Sequence, residues 1–151
     1  METGLAFDSF RYDNEEGWFE IVVKATEFPS VNNTYGINTK TKSIYTLPHV
    51  VKFQNEIKDQ LILTDPKSRC PWIKGSTSYY VQFTFILNHH FWSRDLDNMI
   101  KCTQDCVFSS LNVNDARIVE HHNYKNFKEG DYEYLILRVG VSDYDYNQFN
   151  N

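Results

Sequence analysis

The chain has 151 residues and a formal net charge of −5, with 41% hydrophobic and 16% aromatic residues. This length corresponds to one domain, and the composition excludes a wholly disordered chain. No apolar run approaches the roughly 20 residues of a membrane-spanning helix, so we expect no membrane partner. The first residues lack the basic and apolar regions of a signal peptide. Together with only three cysteines, this favours a reduced, cytoplasmic protein.

The negative charge is concentrated at the two ends of the chain. Residues 1–20 hold six acids and one arginine, for −5, and residues 141–151 hold two acids, for −2. Because the whole chain carries −5, residues 21–140 carry +2. A negative total disfavours a nucleic-acid partner, but a slightly basic body does not. We divide the chain into an acidic N-terminal arm (1–16), a folded domain (17–141) and an acidic C-terminal tail (142–151).

Two strands and a helix are predicted in the first half of the domain. Trp18–Ala25 is rich in β-branched and aromatic residues, which favour a strand. Turn-forming residues at 29–36 predict a loop, and residues 43–47 predict a second short strand. Pro48 suits the first turn of a helix. The apolar residues after it recur about every 3.6 residues, which predicts that the helix continues.

The second half predicts two more elements and a hairpin. Residues 64–78 are rich in proline and serine and predict a linker-like excursion. Tyr79–Leu87 alternates apolar and polar residues as a strand does, and Leu96–Leu111 has the apolar side of a helix. Residues 117–122 and 132–141 predict the two strands of a long hairpin. This order predicts an α+β fold, a small mixed sheet of about four to five strands with two helices on one face.

Acidic residues surround the start of the second helix. Asp95 and Asp97 lie where a loop joins the first helical turn, so both side chains can converge there. Lys101 and Asp105 follow Asp97 at intervals of four residues, on the same helix face. Asp115 ends a turn-like segment after the helix. If the next strand pairs beside the preceding one, we expect Asp115 to return to the helix start.

These residue types suit a divalent cation that acts on a phosphodiester. Mg²⁺ takes oxygen ligands and keeps several waters, so two or three carboxylates suffice. The cation can polarise a phosphodiester and lower the pKa of an attacking water, and a nearby lysine can stabilise the developing charge. The same residues also fit a purely structural role. Aspartate is a common helix N-cap, and an Asp–Lys pair four residues apart contributes only about 0.2–0.5 kcal/mol.

Two sequence blocks resemble those of a known nuclease family. The residues R-D-L-D-N at 94–98, followed by Lys101 and Asp105, and the residues N-V-N-D-A-R-I at 112–118 resemble the signature of RusA-type Holliday junction resolvases. The earlier residues P-S-V-N-N-T-Y at 29–35 resemble a further segment of that family. The resemblance extends over most of the chain.

The resemblance implies a two-fold homodimer with a RusA-like fold. It implies a Mg²⁺-dependent endonuclease, with Mn²⁺ as an alternative metal, which resolves four-way and related branched DNA by paired nicking. Asp95, Asp97 and Asp115 match the metal-binding and catalytic carboxylates, and Lys101 matches the catalytic lysine. The residues that match the flanking DNA-binding and supporting positions are Arg94, Asn32, Asn33, Asn98 and Asp105.

Two departures from the family pattern concern catalysis and DNA binding. Asn114 replaces the first Asp of the family's second block, whereas Asp115 retains the second, so we expect activity to survive. The family's basic run before its first Asp is reduced to Arg94. Five further cations are expected to bind the DNA backbone in its place: Lys40, Lys42, Lys67, Arg69 and Lys74.

Other interpretations stay open. A non-catalytic protein that binds branched DNA, or a phage-accessory protein, would retain the fold without cleavage. An intracellular interaction domain would bind no DNA. Cys102 and Cys106, with two adjacent histidine pairs, would suit zinc, although no C-x-x-C or H-x-x-x-H spacing is present. Phe91 and Trp92, just before the acidic block, either pack in the core or stack on an unpaired base.

Overall fold

The computed structural model describes residues 10–25, 28, 35–46, 48–76, 78–89 and 91–143, without the side chains of 35–37 and 43–46. Asn32 and Asn33, expected to bind DNA, lie outside these residues. Among the helices formed by the described part of the chain, none combines the length and the apolar character needed to cross a bilayer.

The described residues form seven strands, two long helices and several single-turn helices. The strands are β1 (Phe10–Asp13), β2 (Trp18–Ala25), β3 (Tyr35–Asn38), β4 (Ser43–Thr46), β5 (Tyr79–Leu87), β6 (Ile118–Phe127) and β7 (Glu133–Val141). The α-helices are α1 (Pro48–Thr64), α2 (Pro66–Arg69), α3 (Trp72–Gly75) and α4 (Leu96–Leu111), with 3₁₀ turns at Phe91–Ser93 and Asp115–Arg117.

Five strands form one mixed sheet in the order β1-β2-β7-β5-β6. Strands β2, β7 and β5 are antiparallel neighbours, whereas β6 runs parallel to β5 at the sheet edge. Strands β3 and β4 form a separate hairpin. The predicted α+β fold with a mixed sheet of four to five strands is therefore confirmed.

One face of this sheet forms the core. Alternate residues of the three central strands are buried, as the period of two requires, and α1 and α4 pack against each other over them. The fully buried aromatic side chains there include Phe19, Phe83, Phe85 and Phe108. This core fixes α4 against β5 and β6, and α4 carries the acidic block.

The predicted hairpin of residues 117–122 with 132–141 is wrong. Strand β6 does not pair with β7, because β5 lies between them. The 16-residue helix α4 carries the chain back to the start of β5, so β6 runs parallel to β5 through a βαβ crossover. The polar composition of β6 suits its edge position, and the buried apolar run of β7 suits the centre.

Three segments contain more regular structure than the sequence indicated. Within the predicted arm, β1 forms because Phe10 packs on Phe19, with 6.1 Å between ring centroids, and β1 pairs with β2. The excursion at 64–78 contains α2 and α3 because buried Ile73 anchors it to the core. The predicted loop at 29–36 gives way to β3 at its last two residues.

Candidate active site

The N-terminal end of α4 presents two exposed carboxylates. Asp95 is the N-cap residue, with φ −75° and ψ 133°, and its carbonyl oxygen accepts from Asn98 N at 3.2 Å. Its side chain makes no capping hydrogen bond. Asp97 follows in the first turn, where a negative charge is favourable. Both side chains are exposed, so the Asp95 carboxylate does not serve the helix as a cap.

Lys101 lies one turn further along the same helix face. Its Nζ is 3.5 Å from Asp105 Oδ2, and the two side chains are 73% and 47% exposed. An exposed pair of this kind contributes about 0.2–1 kcal/mol at most. Lys101 can therefore exchange Asp105 for a phosphate at little cost.

Asp115 lies in the 3₁₀ turn that leads into β6. Asn114 caps this turn by accepting from Ala116 N at 2.9 Å. The Asp115 carboxylate accepts a hydrogen bond from Gln104 Nε2 at 3.3 Å. Asn114, which departs from the family pattern, thus has a local structural role as a cap.

The expected return of Asp115 to the helix start is wrong. Strand β6 does pair beside β5, but the parallel register sets Ile118 opposite Tyr79, at the far end of the sheet from the start of α4. Gln104, which contacts Asp115, lies seven residues after Asp97, a rise of about 10 Å along the helix. The crossover therefore separates Asp115 from the other two carboxylates.

This separation limits how a cation can bind. The described residues contain no group of three or more His, Cys, Asp or Glu side chains placed to hold one metal ion. Mg²⁺ requires its ligands at about 2.0–2.1 Å but keeps several waters. Asp95 and Asp97 are the two carboxylates close enough in sequence to share an ion at the start of α4, with water completing the shell.

Lys125 of β6 fixes the loop that carries the acidic block. Its Nζ donates to the carbonyl oxygen of Phe91 at 2.6 Å and to that of Arg94 at 3.0 Å. The ammonium also lies 4.5 Å from the centroid of the Phe91 ring, a favourable cation–π distance. Because Arg94 directly precedes Asp95, Lys125 sets the position of the first carboxylate. No sequence pattern indicated this contact, since it joins residues 31 apart.

Phe91 and Trp92 have different environments. Phe91 is partly buried and packs against Phe127, with 6.1 Å between ring centroids. Trp92 is 90% exposed and contacts the edge of Phe91 at 4.8 Å between centroids. Of the two interpretations left open, packing applies to Phe91 and leaves the Trp92 indole facing solvent beside Asp95.

A chain of polar side chains runs from Asp115 into the sheet. Gln104 donates to Asp115, and its Oε1 lies 3.0 Å from His121 Nε2. His121 Nδ1 lies 2.9 Å from Asn123 Nδ2. Because Gln104 donates to Asp115 through Nε2, its Oε1 accepts from His121, which assigns the Nε2–H tautomer to a neutral His121. Burial lowers the pKa of His121 below its usual value, and the neighbouring His122 lowers it further.

The cations expected to bind DNA lie in three places. Lys40 and Lys42 lie exposed in the turn between β3 and β4. The Arg69 guanidinium lies 5.6 Å from the Phe10 ring centroid and packs against β1. Lys67 and Lys74 line one cleft near the end of α4. The structure thus places four of these five residues in two pairs, Lys40 with Lys42 and Lys67 with Lys74.

The cysteines have environments that suit packing. Cys70, Cys102 and Cys106 are all buried and free. Burial, with smaller contributions from Cys106 and Asp105, raises the pKa of Cys102 to about 11. Zinc requires thiolates, so these thiols are poor ligands where they lie.

Comparison with known proteins adds no relative. The chain matches no protein-family model, and no curated protein is similar to it in sequence. The resemblance to RusA-type resolvases therefore rests on the sequence motifs at 29–35, 94–105 and 112–118.

Proposed function

We propose that the chain is a divalent-cation-dependent endonuclease for four-way and related branched DNA, acting as a homodimer. The observation that carries the proposal is the start of α4. There, the carboxylates of Asp95 and Asp97 are exposed, and Lys101 follows Asp97 by one turn in an exposed pair with Asp105. This arrangement matches the chemistry that the motif resemblance implies.

In the proposed mechanism, Asp95 and Asp97 hold Mg²⁺ or Mn²⁺ together with water. A cation held there would supply Lewis-acid polarisation of the phosphodiester and would make a water available as the nucleophile. Lys101 leaves Asp105 and stabilises the negative charge that develops on the phosphoryl oxygens. Asp115, in the turn between α4 and β6, accepts a hydrogen bond from Gln104 and contributes less to the chemistry.

Branched DNA is the substrate that the surroundings of this site favour. Trp92 is 90% exposed, and an exposed indole can stack on a base that is unpaired at a branch point. A two-fold dimer would present two such sites to the pseudo-symmetric strands of a junction, which allows paired nicks. Arg94 and the dispersed lysines would bind the phosphate backbone.

The test is cleavage of a synthetic four-way junction in the presence of Mg²⁺. Asp97→Asn should reduce the cleavage rate by about a hundredfold or more, the scale seen when a group that stabilises transition-state charge is lost. Junction binding in a gel shift should persist. The matched control is Asp59→Asn, which changes an exposed aspartate on α1 and should cleave normally. Equal cleavage by wild type and Asp97→Asn would refute the proposal.

A second candidate is a non-catalytic protein that binds branched DNA. The separation of Asp115 from Asp95 and Asp97 favours it, because the described residues do not assemble three carboxylates. A junction gel shift without any nicking, in either Mg²⁺ or Mn²⁺, would select this candidate over the endonuclease.

A further inference from the structure

A polar cleft opens at the C-terminal end of α4, away from the carboxylates at its start. It has a volume of about 550 Å³ and lies between α3 and the turn that joins α4 to β6. Lys67, Lys74 and Arg117 line it. The described residues that line this cleft include these three cations and no carboxylate, so the cleft favours an anion.

The two walls of the cleft are held in place by separate contacts. On one wall, the buried Tyr79 hydroxyl donates to the carbonyl oxygen of Ile73 in α3. On the other, Asn112 ends α4 in the left-handed conformation, with φ 55°, and its N–H bonds back to the helix. Asn114 caps the next turn. The cations are therefore attached to a preformed frame.

The positive charge of Arg117 acts on Tyr79, a buried residue that lines the cleft. Burial raises the pKa of Tyr79, and the Arg117 guanidinium acts in the opposite direction. Lys67 is half-buried, whereas Lys74 and Arg117 are exposed at the rim. A planar guanidinium with two ammonium groups, beside the amides of Asn112 and Asn114, supplies donors for several oxygens of one phosphate group.

We propose that this cleft binds a backbone phosphate of duplex DNA through Lys67, Lys74 and Arg117. Its distance from the other end of α4 sets its place on the substrate, and this step rests on the proposed function. From Leu96 to Leu111 the helix rises about 22 Å. Since duplex DNA rises about 3.4 Å per base pair, the bound phosphate lies about six to seven base pairs from the one at Asp95 and Asp97.

The first test measures binding without cleavage. A blunt 20-base-pair duplex is titrated in a chelator, at several salt concentrations, with wild type and with Lys67→Gln/Lys74→Gln/Arg117→Gln. We expect the triple variant to bind about tenfold more weakly at low salt, and the slope of log affinity against log salt to fall by about one. Lys52→Gln is the control, an exposed lysine on α1 beside Glu56, and should bind as wild type does.

Three results would overturn the proposal. One is unchanged duplex affinity in the triple variant. Another is an equal loss in Lys52→Gln, which would indicate a diffuse electrostatic effect. The third comes from titration with inorganic phosphate. If phosphate binds wild type and not the triple variant, yet duplex affinity is the same in both, the cleft takes a free phosphate. Lys74→Gln alone, at an exposed position, should give a partial loss and checks the result independently of folding.

The spacing is tested with junctions whose arms are about four or about twelve base pairs long. Wild type should bind the long-armed junction about tenfold more tightly, because only its arms reach the cleft. The triple variant should bind both equally, and an arm-length dependence that survives in this variant would overturn the assigned spacing. A protein that meets these expectations but never cleaves would remove the proposed function and leave the cleft as a DNA-binding site.

Discussion

The two ends of α4 are built differently. At the N-terminal end, Asp95 and Asp97 are exposed. The Lys125 ammonium of β6 holds the preceding loop by donating to two of its carbonyl oxygens. At the C-terminal end, the helix is closed by its own cap, and Asp115 is held by Gln104. Cations gather around this second end. The first end thus presents exposed carboxylates, whereas three cations line a cleft at the second.

This contrast shows how the βαβ crossover distributes a sequence motif. Asp97 and Asp115 are 18 positions apart. They could share an ion only if the fold brought both side chains to the same end of α4. The crossover instead lays β6 alongside α4, so Asp115 meets the second half of the helix. One end then suits a cation, and the other suits a phosphate without a cation.

The largest effect on this contrast between the two ends of α4 is expected from Lys125→Met. The change removes the ammonium from the carbonyl oxygens of Phe91 and Arg94, and hydrogen bonds to a charged group are worth about 1.5–3 kcal/mol. We expect the free energy of unfolding to fall by that amount. Junction cleavage should fall by about 10- to 100-fold, because Asp95 loses its position.

Lys125→Arg should recover part of the activity, since a guanidinium can donate to both carbonyl oxygens. Lys128→Met, at a neighbouring lysine beyond the end of β6, should retain it. Hydrogen exchange at residues 91–98 should accelerate in Lys125→Met and not in the control. If cleavage falls only as far as the folded fraction does, Lys125 stabilises the fold without positioning the site.

A smaller effect is expected from Asp115→Asn. Because Asp115 contacts Gln104, whose backbone lies about 10 Å further along the helix than that of Asp97, it should not share the cation. We expect a loss of cleavage below about tenfold, against about a hundredfold for Asp97→Asn. The two variants are compared by their cleavage rates at saturating junction concentration, measured with Mg²⁺ and with Mn²⁺. Equal losses would show that the two ends of α4 act on one phosphodiester.

The sequence predicted the elements that depend on local pattern. The alternation of Tyr79–Leu87 and the apolar side of Leu96–Leu111 gave both elements with the bounds that the structure has. The α+β class and a mixed sheet of about four to five strands followed from the order of the predicted elements, but the sheet contains β1 and leaves the strand at 43–46 in a separate hairpin. The exposed position of Asp95 and Asp97 at the helix start was also predictable, because the loop-to-helix junction is visible in the sequence.

Long-range pairing was not predictable in the same way. The choice between a β6–β7 hairpin and a β5–β6 parallel pair depends on which strand is covered on both faces. The composition carried this signal, because β7 is mostly apolar and β6 is mostly polar. In the structure β7 is buried along most of its length and β6 is not. The pairing alone would not have placed Asp115, because its position also depends on the parallel register of β6. The Lys125 contacts and the cation cleft depend on tertiary geometry that no spacing in the sequence encodes.

The smallest expected effect is a loss of stability at acidic pH, caused by protonation of His121 beside the C-terminal half of α4. Burial lowers the pKa of His121 below its usual value of about 6.5. The unfolded chain therefore takes up a proton at a higher pH than the folded chain does, so stability decreases as the pH falls through 6.5 and below. Urea unfolding at several pH values should show this loss in wild type and a smaller loss in His121→Gln. The matched control, Tyr124→Gln, changes an exposed residue of the same strand and should keep the wild-type dependence.

The same protonation should act unequally on the two ends of the helix. A protonated His121 donates from both ring nitrogens, whereas Asn123 now presents its amide nitrogen to Nδ1. The contact through Gln104 to Asp115 should loosen as this arrangement is lost, while the Lys125 contacts that hold the start of α4 do not involve His121. Hydrogen exchange at mildly acidic pH should therefore accelerate more at residues 112–117 than at 91–95. Equal acceleration at both would show that the two ends respond as one unit.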